Sequence, residues 1–448
     1  MTGPPGPVVA LVYPYFRCRD PVEKLFPPLG IAYLAAELKQ LGIPVLVADC
    51  TFETFEEAID RIARVRPAVV GFSVMVTMSG NAFEMLKELR KRLPKTLFAA
   101  GGPLPSVHPA MFGEAFDLVF CGECDVTFPS FCHDYLSRGC DPDYPKILDP
   151  ASYPGIYVNA GGKVVSSQPR HYPQAILDDL PLPDRSGFDH DRYQAAVKET
   201  TGLLQTSLIV TRGCPFACDF CSRPVFGNLF RKPPLEKVFH EIDEIVSLGY
   251  DTLWIADDCF TLDPAYLADF CTEMIDRGVP LGWTCLSRID RLDRDLVGLM
   301  KRAGCIRVYL GLESGSDETL KLMNKQTTVM QGIRAVDLFS RAGIGTAGFF
   351  MVGYPGETRE SIEKTFRLAL SLPLDEAWFT VPLPLPGTPL FSRVAVLEDW
   401  EDWETSNQVK FVFPSEFDEQ WLRSRINDTL DEFRKRKRDR PGGCPTGR

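Results

Sequence analysis

The sequence predicts an α/β protein of two modules. An N-terminal doubly wound, Rossmann-like parallel sheet is followed by a (β/α)6 partial TIM barrel with a small C-terminal extension. Three observations carry that prediction. Short apolar or β-branched runs alternate with helical patterns through the first 140 residues. The alternation restarts near residue 206. A stretch rich in Pro, Asp, Tyr and Gly separates the two. The divisions read 1–140, 141–205 (a connector), 206–390 (the barrel) and 391–448 (the extension).

In the first module the strands are Val8–Tyr13, Val45–Ala48, Ala68–Phe72, Thr96–Ala100 and Asp117–Phe120. The first helix between them sets Ile31, Leu34, Leu38 and Leu41 at steps of three and four and stops at Gly42. Open parallel sheets bind ligands at the carboxyl ends of their strands. Those ends hold Pro14–Arg17 with Tyr15, Asp49–Thr51, Ser73–Thr77, Gly101-Gly102-Pro103 and Cys121-Gly122-Glu123. The connector (Asp141-Pro142-Asp143-Tyr144-Pro145, later Leu180-Pro181-Leu182-Pro183) reads as an ordered surface wrap with a short hairpin around Gly161-Gly162. In the second module the strands are Ser207–Thr211, Thr252–Ala256, Leu281–Leu286, Ile306–Leu310, Gly345–Val352 and Ala377–Val381, separated by helices such as Leu235–Leu248, Pro264–Arg277 and Thr358–Ser371. A parallel barrel keeps its active site at the carboxyl ends of its strands. Beyond 391 come an acidic, Trp-containing stretch (Glu398–Glu404), a basic one (Arg434–Arg440) and Pro441–Arg448. This tail is expected to be a solvated, frayed terminus.

Composition excludes several classes. Of 448 residues, 45% are apolar and 24% charged, ordinary for a globular chain. The net charge of −11 argues against general nucleic-acid binding. No run of about 18 apolar residues exists, so no membrane span is expected. The apolar run Val8–Val12 is strand length and lacks a basic region before it, so a cytoplasmic location is expected. Fourteen cysteines are many for disulfides in a reducing compartment, and most are isolated, as small core residues are.

One group differs. Arg212-Gly213-Cys214-Pro215-Phe216-Ala217-Cys218-Asp219-Phe220-Cys221 places three cysteines at C-x3-C-x2-C spacing just after a strand. Three thiolates on a 4Fe–4S cluster leave one iron open to a small molecule. A zinc site would need a fourth ligand, such as Cys259 or His240 brought in by the fold. The motif, with Phe220 before its last cysteine, is similar to that of the radical S-adenosylmethionine (SAM) superfamily. The resemblance implies that Cys214, Cys218 and Cys221 hold the cluster, that SAM chelates the open iron, and that its reduction yields a 5′-deoxyadenosyl radical.

The resemblance extends to the other strand ends. Phe220 takes the position near the adenine. Asp257 and Asp258 stand where many members carry Gly-Gly-Glu near the methionine amino group, which is a departure. Their plain alternative is a cap or ion pair. Ser287-Arg288 follows the third strand, where Arg288 would hold the methionine carboxylate or pair with Asp290 or Asp293. Glu313-Ser314, after the fourth, resembles the ribose-binding position. Gly353, after the fifth, resembles the adenine-side loop or a plain turn.

The first module resembles the cobalamin-binding domain fused to such enzymes. Pro27-Pro28-Leu29-Gly30, then Gly101-Gly102-Pro103, then Gly122-Glu123 carry the likeness. It implies corrin or tail contacts at Tyr15, Ser73, Val74, Thr77, Gly101, Gly102, Pro103, Gly122 and Glu123, with the glycines admitting a large flat ligand. The Asp-x-His-x-x-Gly motif that supplies a lower cobalt ligand elsewhere is absent. Cys121-x-x-Cys124 reads as a turn. Cys18, Cys50 and Cys121 leave open the second cluster of the sister methylthiotransferases.

Together the resemblances imply a cobalamin-dependent radical SAM methyltransferase. It would move a methyl group through methylcobalamin to an unactivated carbon, or phosphorus, of a small biosynthetic intermediate. Implied cofactors are a 4Fe–4S cluster, SAM and cobalamin. Implied partners are a small-molecule substrate and an external electron donor of flavodoxin or ferredoxin type, with no nucleic acid. Two alternatives stay open: the same machinery performing ring contraction, cyclisation or oxidation, and a non-catalytic cobalamin sensor or carrier.

Overall fold

A computed structural model describes residues 8–19, 25–160, 162–169, 171–394, 396 and 409–438. The chain divides into two compact units. One comprises Met1–Leu204 with Arg223–Leu248, the other Gln205–Ser222 with Gly249–Arg448. The first unit therefore takes in the connector and a segment that the sequence assigns to the barrel.

In the first unit β1 (Val9–Tyr13), β2 (Val45–Asp49), β3 (Val69–Ser73), β4 (Leu97–Gly101) and β5 (Leu118–Phe120) run parallel in the order β2-β1-β3-β4-β5. The chain leaves β1 for β2 on one side and reaches β3 on the other. This makes a topological switch point between β1 and β3, where the carboxyl ends diverge. The helix Leu29–Gln40 lays Ile31, Ala35 and Leu38 on Val9, Leu11 and Val69, and Gly42 (φ 72°) lets the chain turn back after it.

The connector does more than wrap. Its hairpin, β6 (Ile156–Ala160) and β7 (Lys163–Ser166), adds antiparallel to β5, with Val119 opposite Tyr157 and Phe120 opposite Ile156. The unpaired backbone groups on that side of β5 need partners, and the hairpin supplies them. Tyr144, Tyr153, Ile156 and Val158 then share a core with Phe120, Phe128 and Phe131. Gly161, in the expected hairpin turn, lies outside the described residues.

In the second unit β8 (Gln205–Leu208), β9 (Thr252–Ile255), β10 (Gly282–Ser287), β11 (Cys305–Glu313), β12 (Gly345–Met351) and β13 (Glu376–Thr380) are all parallel and in sequential order, as a part-barrel requires. Asp263, Asp293, Thr328 and Thr358 cap the helices that follow β9 to β12. Trp283 is fully buried, edge-on to Phe260 and Phe270.

The tail corrects one expectation. Glu419–Arg438 is a 20-residue helix, not a frayed end. Leu422, Ile426 and Phe433 recur at helical spacing and are buried. Leu422 and Ile426 pack with Val352, Ile362, Phe366 and Phe411. Arg425 forks onto Glu363 at 2.8 and 2.8 Å. Lys435–Arg438 sit in the last turn, where positive charge suits the helix dipole. Glu398–Glu404, Asp439, Arg440 and Pro441–Arg448 lie outside the described residues.

Candidate functional site

The three-cysteine loop leaves the carboxyl end of β8, and the loop after every other strand of the sheet braces it. After β9, the buried Asp257 accepts the Val210 N–H on Oδ1 (2.7 Å). Its Oδ2 accepts the Thr211 N–H (2.7 Å) and hydroxyl (2.6 Å). After β10, the Arg288 guanidinium stacks 3.4 Å from the Phe216 ring centroid. After β11, Met323 O accepts the Asp219 N–H (2.9 Å) and the Asn324 side-chain amide donates to Ala217 O (2.6 Å). After β12, the Tyr354 hydroxyl donates to the Asp219 carboxylate. After β13, Arg393 pairs with the same carboxylate at 2.7 Å, and the Leu390 N–H donates to Asp219 O. Phe220 packs beside Met323, Tyr354 and Leu390.

This bracing fits a cluster. Cys218 is buried and Cys214 and Cys221 are half-buried, so the loop keeps its thiols at the protein–solvent boundary of a strand-end site. Among the described residues no three His, Cys, Asp or Glu side chains close on a single ion. A cubane asks for something wider, with one thiolate per iron at separate corners. The zinc alternative finds no support in His240, which is exposed and pairs with Glu236 of its own helix at 3.1 Å. Burial pushes the Cys259 thiol up to about 11.

The other expected SAM residues divide. Arg288 is buried. Its Nε and Nη2 fork onto Asp290 at 3.0 and 3.0 Å, and Nη2 also reaches Lys325 O. Glu313 ends β11 in a left-handed conformation (φ 59°), and its Oε1 accepts from Lys325 Nζ at 2.7 Å. The pair lies over Gly311, where a Cβ would stand 2.6 Å from Oε1 and 2.7 Å from Nζ. The remaining residues take supporting roles. Ser287 Oγ donates to Arg288 O (2.7 Å) and meets Thr261 Oγ1 (2.8 Å). Ser314 Oγ meets Thr365 Oγ1 at 3.1 Å. Gly353 (φ 83°) donates its N–H to Glu357, and a Cβ there would stand 2.6 Å from the Phe411 ring. Asp258 is exposed. Both Asp257 oxygens serve the chain itself, although a SAM contact was expected there. Burial pushes the carboxyls of Asp257 and Glu357 up to about 7 against the hydrogen bonds they accept.

At the switch point of the first unit, Tyr15 is buried just past β1. The loops after β3 and β4 hold each other through backbone groups. The Val74 N–H donates to Gly101 O (2.8 Å) and the Leu104 N–H to Val74 O (3.2 Å). Gly102 (φ 99°) precedes the short helix Pro103–Val107, and a Cβ there would lie 3.0 Å from Val74 N and 3.4 Å from Ser73 Oγ. Thr77 is exposed on the turn Val76–Met78. The need for glycine is therefore internal. It lets two loops meet, as Gly122 (φ 76°) meets Pro169, where a Cβ would come within 2.9 Å. Glu123 also departs from expectation. Its carboxylate is buried and accepts from Arg231 Nη1 (2.5 Å) and the Tyr172 N–H (3.0 Å), which ties two distant segments of its unit together. Cys121 is buried, its thiol pushed up to about 12, which suits a packed residue more than a ligand.

Sequence reasoning missed Asp219, Asn324, Lys325, Tyr354 and Arg393. Their signal is faint. Asp219 lies inside the motif, and Asn324 is a residue type that tolerates left-handed backbone.

Comparison with known proteins agrees with this architecture. The B12 binding domain family matches residues 19–131 and the radical SAM superfamily matches residues 208–369. An uncharacterized methyltransferase of Pyrococcus horikoshii is 30% identical over 398 residues, covering 86% of this chain and 83% of its own. The anaerobic magnesium-protoporphyrin IX monomethyl ester cyclase of Cereibacter sphaeroides is 27% identical over 87% of this chain and 63% of its own. The radical SAM methyltransferase TsrM of Kitasatospora setae, solved with cobalamin and a [4Fe-4S] cluster, shares the fold at a TM-score of 0.75. It is 22% identical, over 87% of this chain and 74% of its own.

Proposed function

This chain belongs to the radical SAM superfamily, among the members that carry a B12 binding domain, and from that premise we propose that it is a cobalamin-dependent methyltransferase acting on a small molecule. The observation that carries the reading is the C-x3-C-x2-C loop, braced from every other strand end of a six-stranded parallel sheet, on one chain with a second sheet that has a ligand-type switch point. When bound, the cluster with SAM supplies a radical that takes a hydrogen from an unactivated position, and the corrin supplies the methyl group.

The chain's own residues bind and orient. Cys214, Cys218 and Cys221 hold the cluster, and Asp257, Asp219 and Asn324 fix the loop that presents them. Arg288 and Glu313 offer a cation and a carboxylate to the charged and hydroxyl groups of SAM. Phe220 gives the adenine an apolar neighbour. The loops at Tyr15, Ser73-Val74 and Gly101-Gly102-Pro103 form the edge that takes the corrin. No general base is required, because hydrogen abstraction by a radical needs none. The electron comes from a flavodoxin or ferredoxin, and a reducing compartment, the cytoplasm, suits the many thiols.

A second reading has its own support. The 27% identical relative named a cyclase favours the cyclisation alternative. One experiment separates all the readings. Anaerobically reconstituted protein should hold about four iron and four sulfide and about one corrin per chain. With SAM and dithionite it should release 5′-deoxyadenosine, and C218A should not. Methylated product assigns the transferase; cyclised product without methyl assigns the second reading. Corrin binding with no 5′-deoxyadenosine from the wild type would leave only a carrier.

A further inference from the structure

Three of the five non-glycine residues with left-handed backbone among the described residues are Glu313, Asn324 and Gln326 (φ 59°, 49° and 56°). All three bracket one side chain, Lys325. Strained residues persist where their surroundings over-determine them, and they gather at functional sites. Here the surroundings are the three-cysteine loop. Met323 and Asn324, immediately before Lys325, hold Asp219 and Ala217, the two residues that flank Cys218. Lys325 O accepts from Arg288 (3.3 Å), which stacks on Phe216 of the same loop. The Lys325 ammonium is buried, 2.7 Å from Glu313 Oε1 and 5.7 Å from the Phe220 ring centroid. The turn thus sets a cation beside the middle cysteine. The Glu313 carboxylate at 2.7 Å keeps the buried ammonium charged.

A buried lysine with one carboxylate partner could be a packing device. The geometry argues otherwise. Glu313 is the one carboxylate bonded to the ammonium, and the residues just before Lys325 bond both neighbours of Cys218, so the turn that carries this charge is fixed to the middle of the three-cysteine loop. Reduction adds an electron to the cluster, and a fixed cation in a low-dielectric site stabilises that added charge.

We infer that Lys325 is a positioning residue for the iron–sulfur cluster, whose fixed positive charge, partly offset by Glu313, raises the cluster's reduction potential. The inference rests on the proposed reading of Cys214, Cys218 and Cys221 as cluster ligands. It is tested by redox titration of the reconstituted protein without substrate, followed by electron paramagnetic resonance, with iron and sulfide counted for each variant. K325M should lower the midpoint potential, E313Q should raise it, and K325R should stay near the wild type. A purely structural role would change iron retention and melting temperature but not the potential of the loaded fraction. A wild type with no cluster signal overturns the cofactor reading itself. A wild type with a cluster, alongside a K325M that holds full iron at the same potential, overturns only the role of Lys325. If K325M fails to load, E313Q decides: an unchanged or lowered potential overturns the inference.

Discussion

In the second unit, side chains that follow five different strands hold the segment Val210–Cys221: Asp257, Arg288, Asn324, Tyr354 and Arg393. In the first, the loops after β3 and β4 hold each other mainly through backbone groups, with Gly102 removing the side chain that would keep them apart. The difference follows from what each edge has to do. Metal–thiolate bonds need each sulfur fixed in place, and a loop has no ladder of its own to fix it, so neighbouring side chains must. The loops after β3 and β4 stand on one side of the switch point, and short backbone bonds at a glycine hold them at a fixed spacing.

The largest test of this contrast is C218A. It should abolish 5′-deoxyadenosine formation and leave corrin retention unchanged, read by product chromatography and the ultraviolet–visible spectrum of one preparation. Loss of both would show that the two edges are not independent. Next is E123A. It leaves Arg231 buried without its partner and should cost about 3–5 kcal/mol in chemical denaturation. A stability within error of the wild type, with corrin lost, would return Glu123 to the ligand. Third is G102A, where the positive φ and the close approach to Val74 should cost about 1–3 kcal/mol. Its corrin retention should fall while its iron content holds. An equal loss of iron would break the contrast.

The smallest effect is in pH. The folded carboxyls of Asp257 and Glu357 sit near 7, above their unfolded values near 4. The folded state therefore binds the extra protons. Their contribution to stability is full below about pH 4 and is lost as pH rises through about 7. D257N removes one of the two titrations, so its melting temperature should fall less steeply than the wild type's over that range. Parallel curves would mean that Asp257 stays charged throughout.

Much of this was readable in the chain. The eleven parallel strands announced themselves through β-branched runs and helical spacing between them, and the three cysteines through their own spacing. What stayed hidden was pairing at long range. Nothing near Glu123 foretells Arg231, more than a hundred residues away. The hairpin around Gly161-Gly162 was expected, but nothing in its residues shows that Ile156 and Tyr157 add to the edge of β5. Leu422, Ile426 and Phe433 were overlooked because the basic run after them resembles a solvated end. Lys325 drew no notice because local pattern cannot say which turns are buried.

The helix Glu419–Arg438 has one more consequence. Lys437 bonds Asp375 O, just before β13, and the cluster around Leu422 and Ile426 includes Phe379 of β13 itself. β13 is the last strand of its sheet, and an uncovered last strand is a template on which other chains assemble. The terminal helix covers the Phe379 side of that strand, so its loss would add apolar surface beside an open edge. A chain cut at residue 408 would show it as precipitation during expression, with the cysteine loop still intact in sequence.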